Sequence, residues 1–105
     1  IAHRRDILIA VLAHAGDGNT HPLLVFDPDD EDQAERAHTA YGEVMDMAIA
    51  LGGTITGEHG VGRLKASMLP VELGETNTRI QRELRRVFDP NGTLNPGVNL
   101  ASDHS

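Results

Sequence analysis

The chain has 105 residues, 39% of them hydrophobic, with 16 acidic against 9 basic side chains for a formal net charge of -7. That length suits one small domain and is too short for two, and the acidic balance excludes the basic footprint of a general nucleic-acid binder, so nucleic acid is not an expected partner. The absence of cysteine excludes disulfides and thiolate chemistry and leaves His, Asp and Glu as candidate metal ligands, while two Phe, one Tyr and no Trp make any core aliphatic.

Residues 1–6 lack an initiator Met, do not look like a secretion signal and read as the end of a helix entered partway, so a fragment of a longer chain is expected. No stretch approaches the ~20 apolar residues of a membrane span, and a cytoplasmic location follows as an expectation. Residues 7–13 are an apolar run of Ile, Leu, Val and Ala, and Leu23-Leu24-Val25-Phe26 is a second. Between them lies His14-Ala15-Gly16-Asp17-Gly18-Asn19-Thr20-His21, rich in turn formers, which predicts two strands joined as a hairpin. Side chains facing each other across such a pair have Cβ atoms ~4.5–5.5 Å apart, so two imidazoles can converge on one ion. The alternative is that the histidines merely end strands. Asp17 and Asn19 read most economically as turn residues, whose side chains bond their own backbone.

Pro28 ends the second strand, and Asp30 with Gln33 three residues on fits a capping box. The acidic run 27–32 then sits at the positive end of a helix dipole; a calcium loop would need ligand alternation and a closing Glu that are absent. Ala34, Ala37, Tyr41, Val44, Met45, Ala48 and Leu51 recur at helical spacing and predict an amphipathic helix over about 31–51, stopped by Gly52-Gly53. His38 reads as a surface residue.

Thr54-Ile55-Thr56 is β-like and runs into Gly57-Glu58-His59-Gly60-Val61-Gly62. Residues 63–69 predict a short helix ended by Pro70. Ile80, Leu84, Val87 and Phe88 mark an amphipathic helix from about 75 to 88, whose arginines at 79, 82, 85 and 86 read as a solvated face or one lying against an acidic neighbour. Asp89-Pro90-Asn91-Gly92 makes a turn, Thr93-Leu94-Asn95-Pro96-Gly97-Val98 an ordered tail, and 101–105 a frayed end.

This order predicts an α+β domain, a largely antiparallel sheet with helices packed on one face. If the Ile55 segment joins that sheet, the 14–21 and 57–62 loops open on the same edge. His14, His21 and Glu58 then supply two imidazole nitrogens and a carboxylate oxygen, a set that suits Zn, Mn or Fe and leaves positions open for substrate. Glu58 and His59 are neighbours, and neighbours on an extended chain point to opposite sides. A division of labour follows, with Glu58 on the metal and His59 free to move protons, an imidazole's reference pKa of ~6.5 suiting a general base. The glycine-rich segment could instead be a plain turn or an anion nest; it is not a dinucleotide fingerprint.

Three motifs occur in order: residues 14–22, the Gly52-Gly53-Thr54-Ile55-Thr56-Gly57-Glu58-His59-Gly60-Val61-Gly62 run, and residues 89–97. Together they resemble the C-terminal domain of FAD-linked 2-hydroxy-acid oxidases and dehydrogenases of the vanillyl-alcohol-oxidase type, over about residues 7–99. These include the glycolate oxidase D subunit, D-lactate dehydrogenase and D-2-hydroxyglutarate dehydrogenase. The resemblance implies a domain that caps the reactive face of FAD and carries a small 2-hydroxy-acid substrate, with the flavin held mainly by an N-terminal FAD-binding domain outside this chain. It implies a divalent metal, Zn or Mn, on His14, His21 and Glu58, and His59 as base. It places Asn19 near substrate and flavin, and the Asn95-Pro96-Gly97 tail at the return to the flavin domain.

The implied reaction removes the substrate's hydroxyl proton to His59 while the α-hydrogen leaves as hydride to the flavin, giving the 2-oxo acid. The 105 residues alone would then have no turnover. Two departures stand out. Val98 occupies the place where the family commonly has Lys, and the strands and substrate-carboxylate-binding basic residues of the earlier part of the cap are missing. A sheet without those strands exposes edges and apolar surface, which makes a homodimer an expected arrangement. Two other readings compete: a stand-alone divalent-metal-binding or metal-hydrolase domain, and an interaction module derived from the same cap.

Overall fold

A computed structural model describes residues 1–100; the tail at 101–105, expected to fray, lies outside the described residues. The element order is α1 (Ala2–Arg5), β1 (Leu8–His14), β2 (Asn19–Val25), α2 (Glu31–Ala50), α3 (Leu69–Leu73) and α4 (Glu75–Phe88), an α+β arrangement with one antiparallel sheet among the described residues. The chain forms two compact units, Ile1–Gly53 and the part from Thr54 onward.

In the first unit the hairpin pairs Leu8 with Val25 at its open end and His14 with Asn19 at its loop. Ala15–Gly18 make the turn, closed by the Asp17 amide donating to the His14 carbonyl at 3.0 Å, with Gly18 in the left-handed region at φ 72°. α1 ends at Asp6, and the helical turn expected of residues 1–6 is present. Arg5 holds it to α2 through a two-toothed contact of its guanidinium with Glu43, the Nε lying 3.2 Å from each carboxylate oxygen. That hydrogen bond holds the Glu43 carboxyl below its ordinary range.

α2 starts where the capping residues predict. The Asp30 carboxylate accepts from the Gln33 backbone N–H at 3.1 Å, which draws its titration down. The Gln33 side chain answers in two directions, donating to Asp30 at 3.0 Å and accepting from the Asp27 amide at 3.0 Å. The helix stops at a glycine pair whose amides turn back onto it. Gly52 donates to Ile49 and Gly53 to Ala48, at 3.0 and 2.8 Å, with Gly52 at φ 82°. A Cβ on Gly53 would stand 3.0 Å from the Ala48 carbonyl oxygen, so a side chain there would need the helix end to give by a few tenths of an ångström. Ala37, Ala40 and Met45 form the buried side of α2, His38 is exposed as expected, and Leu51 points to solvent.

The second unit departs from expectation in three places. Thr54-Ile55-Thr56 is not a strand. The Thr54 hydroxyl donates to the Thr56 carbonyl and accepts from its amide, and the Ile55 amide goes to the Glu72 carboxylate at 3.2 Å. Side chains thus satisfy the backbone groups a sheet ladder would have used. Residues 62–68 are turns rather than a helix, and Pro70 sits in the first turn of α3 instead of ending a helix, the first turn being where its missing N–H is harmless. α4 has the predicted limits but the opposite facing. Thr78 and Asp89 are buried and Arg82 and Arg85 half-buried, while Ile80, Leu84, Val87 and Phe88 are exposed, Phe88 to 82%. Ile55, Ala66 and Leu69 supply the apolar part of this small core.

Candidate functional site

Alternation along the hairpin puts Leu8, Ala10, Leu12 and His14 of β1 on one face with Asn19, His21, Leu23 and Val25 of β2. His14 lies opposite Asn19 and His21 opposite Leu12, so the two histidines are diagonal rather than directly facing neighbours. The imidazoles nevertheless meet, with ring centres 5.4 Å apart and planes at 84°. Asn19 is a strand residue rather than the turn residue its type suggests. It is half-buried, as is His21, while His14 is exposed. The first unit therefore gathers His14, Asn19 and His21 at one end of one sheet face. Leu12 at 63% and Leu23 at 49% exposure continue that face with open apolar surface.

Glu58 and His59 lie in the second unit, in a segment of bends with both side chains exposed. Extended geometry would send them to opposite sides; the bend instead brings Glu58 Oε1 to 4.0 Å from His59 Nε2. Gly60 at φ 76° and Gly62 at φ 58° continue the segment through left-handed backbone that favours glycine. Asn99 fastens the end of the segment, its amide donating to the Gly62 carbonyl at 2.7 Å and its side-chain oxygen accepting from the Gly62 amide at 3.1 Å.

Asn95, in the tail of the same unit, is exposed and left-handed at φ 44°. Its surroundings are built by two residues that pattern reading assigned to a turn and to a solvated face. Asp89, only 8% exposed, accepts from the amides of Thr93 at 3.0 Å and Leu94 at 2.9 Å, and from the Thr93 hydroxyl at 3.2 Å. Arg85 donates to the carbonyls of Val98 and Asn95, each at 2.9 Å, and to that of Leu94. An Asp opening a Pro-Asn-Gly turn, with an Arg four residues before it, was the available signal. Val98 takes part through its main-chain carbonyl, which any residue there would supply.

The amides of Leu94 and Thr93 hold the Asp89 carboxyl below the usual carboxylate range. A depressed folded value means the carboxylate stabilises this turn above the unfolded pKa of ~3.9, an effect lost as pH falls through the lower folded value. The amides of Thr93 and Leu94 should therefore lose hydrogen-exchange protection on acidification below about pH 4. Asp89→Asn should remove that pH dependence, and protection that survives acid unchanged would exclude the carboxylate as its source.

Residues 1–98 match the family described as FAD linked oxidases, C-terminal domain. The chain is similar to glycolate oxidase subunit GlcD of Bacillus subtilis (strain 168), at 46% identity over 103 residues, 98% of this chain and 22% of that protein. It is similar to the GlcD subunit of Escherichia coli (strain K12) at 35% over 104 residues, 99% of this chain and 21% of that protein. The mitochondrial D-lactate dehydrogenase [cytochrome] of Arabidopsis thaliana is 41% identical over 92 residues, 88% of this chain and 16% of that protein. The chain thus spans 16–22% of the length of these curated relatives. Among the described residues no helix is long and apolar enough to cross a membrane.

Proposed function

Since the chain belongs to the family of FAD linked oxidase C-terminal domains, we propose that it is the substrate-side domain of an FAD-dependent oxidoreductase acting on a 2-hydroxy acid. The substrate is of the glycolate, D-lactate or D-2-hydroxyglutarate type and the product is the 2-oxo acid. An N-terminal FAD-binding domain is the implied partner. The observation that carries the reading is the meeting of His14 and His21 on one sheet face beside Asn19.

His14, His21 and Glu58 are the proposed ligands of a divalent cation, Zn or Mn. Nitrogen and oxygen donors of this kind suit either metal. Two imidazoles bound to one tetrahedral ion at ~2.0–2.1 Å have ring centres roughly 5 Å apart, and the His14–His21 separation of 5.4 Å is compatible with that. When bound, such a cation supplies Lewis acidity that makes a substrate hydroxyl easier to deprotonate. His59 takes that proton on a ring nitrogen; its exposed place on a glycine-flanked bend leaves room for a substrate to approach. Asn19 and Asn95 are the proposed cofactor contacts. Each carboxamide offers both a donor and an acceptor, the pair that the alternating carbonyl and N–H groups at the edge of a flavin ring require.

The test is anaerobic mixing of the full-length flavoprotein with glycolate, D-lactate and D-2-hydroxyglutarate. At least one of them should bleach the oxidised flavin absorbance and yield its 2-oxo acid in stoichiometric amount. A flavoprotein that none of the three reduces would overturn this substrate class.

A further inference from the structure

The inward face of α4 holds the tail from two sides. Thr78, Arg82 and Arg85 recur at helical spacing along that face, and Asp89 follows at the helix end. Its last turn presents an anion and then a cation to one short piece of backbone. The Asp89 carboxylate gathers the amides of Thr93 and Leu94, while the Arg85 guanidinium gathers the carbonyls of Leu94, Asn95 and Val98. Leu94 is held by both its amide and its carbonyl. Asn95 follows with its own carbonyl fixed twice, by Arg85 and by the Val98 amide at 3.2 Å.

A left-handed non-glycine residue is disfavoured on its own and persists when its surroundings over-determine it. Asn is among the few residue types that accept the conformation, but three consecutive anchors are what select it at position 95. Once the main chain is fixed on both sides of Asn95, the direction of its Cα–Cβ bond is fixed as well.

We propose that Arg85 and Asp89 are positioning residues that set the backbone of Asn95 and so present its carboxamide to the flavin. The inference rests on the reading of Asn95 as a cofactor contact. The guanidinium reaches these carbonyls from two separate nitrogens of a planar fork, Val98 from Nη1 and Leu94 and Asn95 from Nη2; an ammonium has a single nitrogen and no such spread, so Arg and Lys are not equivalent at position 85. A carboxylate can accept from two amides, whereas an Asn at 89 turns a donor toward one of them.

The experiment uses the full-length flavoprotein with Arg85→Lys, Asp89→Asn, Asn95→Gly and the pair Asp89→Asn/Asn95→Gly; glycine removes the carboxamide and keeps the left-handed backbone. It reads FAD dissociation constants by titration of the apoprotein and hydrogen exchange at Thr93 and Leu94. Arg85→Lys and Asp89→Asn should each weaken FAD binding roughly tenfold and speed exchange at those amides. Asn95→Gly should weaken FAD binding to the same degree without speeding exchange, and the double variant should bind no worse than Asn95→Gly alone. Faster exchange in the positioning variants with parental FAD affinity, while Asn95→Gly binds FAD weakly, would overturn the positioning role and leave the cofactor contact intact. Parental affinity in Asn95→Gly would overturn the cofactor contact and the positioning role with it. If Asp89→Asn does not fold, Arg85→Lys decides the matter by the same two readings.

Discussion

Replacing His59 by Asn in the full-length protein should leave the flavin bound and slow its reduction by the 2-hydroxy acid about 10²–10⁴-fold. Asn keeps much of the size of the imidazole and its capacity to donate and accept hydrogen bonds, but it cannot take up a proton. Substrate binding therefore persists while proton removal falls to water. His59 is exposed on a bend, so the change disturbs no core packing, and its unfolding midpoint should match the parent's. Stopped-flow absorbance under anaerobic conditions reads the effect directly. Reduction at the parental rate would remove His59 from the base role, and loss of flavin on purification would show a structural part instead.

The next largest effect belongs to the histidine pair. His14→Ala or His21→Ala leaves a single imidazole where two stand with ring centres 5.4 Å apart. Bound Zn or Mn should drop below stoichiometric in either variant, and flavin reduction should slow about 10²–10³-fold, the scale of losing several kcal/mol of charge stabilisation. Chelation of the parent should reproduce that rate, and added Zn or Mn should restore it in the parent but not in the variants. Element analysis by mass spectrometry checks the metal content. A variant that keeps both its metal and its rate would exclude that histidine as a ligand. Glu58→Gln is the matching test for the carboxylate, with metal affinity as the readout because its shape is unchanged.

The apolar stripe of α4 shows how far pattern reading reaches. Ile80, Leu84, Val87 and Phe88 recur at helical spacing, and the helix they predict spans Glu75–Phe88 as expected. Periodicity reports that a helix has two unlike faces; it does not report which one turns inward. Here the polar face does, because Asp89 and Arg85 find backbone amides and carbonyls in the tail to satisfy them. The arginines expected to form a solvated face therefore include one that organises the tail. Pro70 carries a similar lesson. A proline signals an interruption of helical hydrogen bonding, and the same residue can close one helix or open the next.

Neighbours along the chain were enough to establish the hairpin, the cap at Asp30, the glycine stop at Gly52-Gly53 and the limits of α4. Each depends on a few residues whose torsions and hydrogen bonds are settled within one turn of backbone. They were also enough to single out His14, His21, Glu58 and His59 as chemically unusual for their surroundings. Folding in three dimensions was needed for the rest: the diagonal register of the histidines, the bend that brings Glu58 to His59, the diversion of residues 54–56 away from a sheet, and the inward turn of the α4 arginines. The last two outcomes depend on partners many residues away, Glu72 for Ile55 and Val98 for Arg85, and a contact between distant residues leaves no periodic trace in either segment.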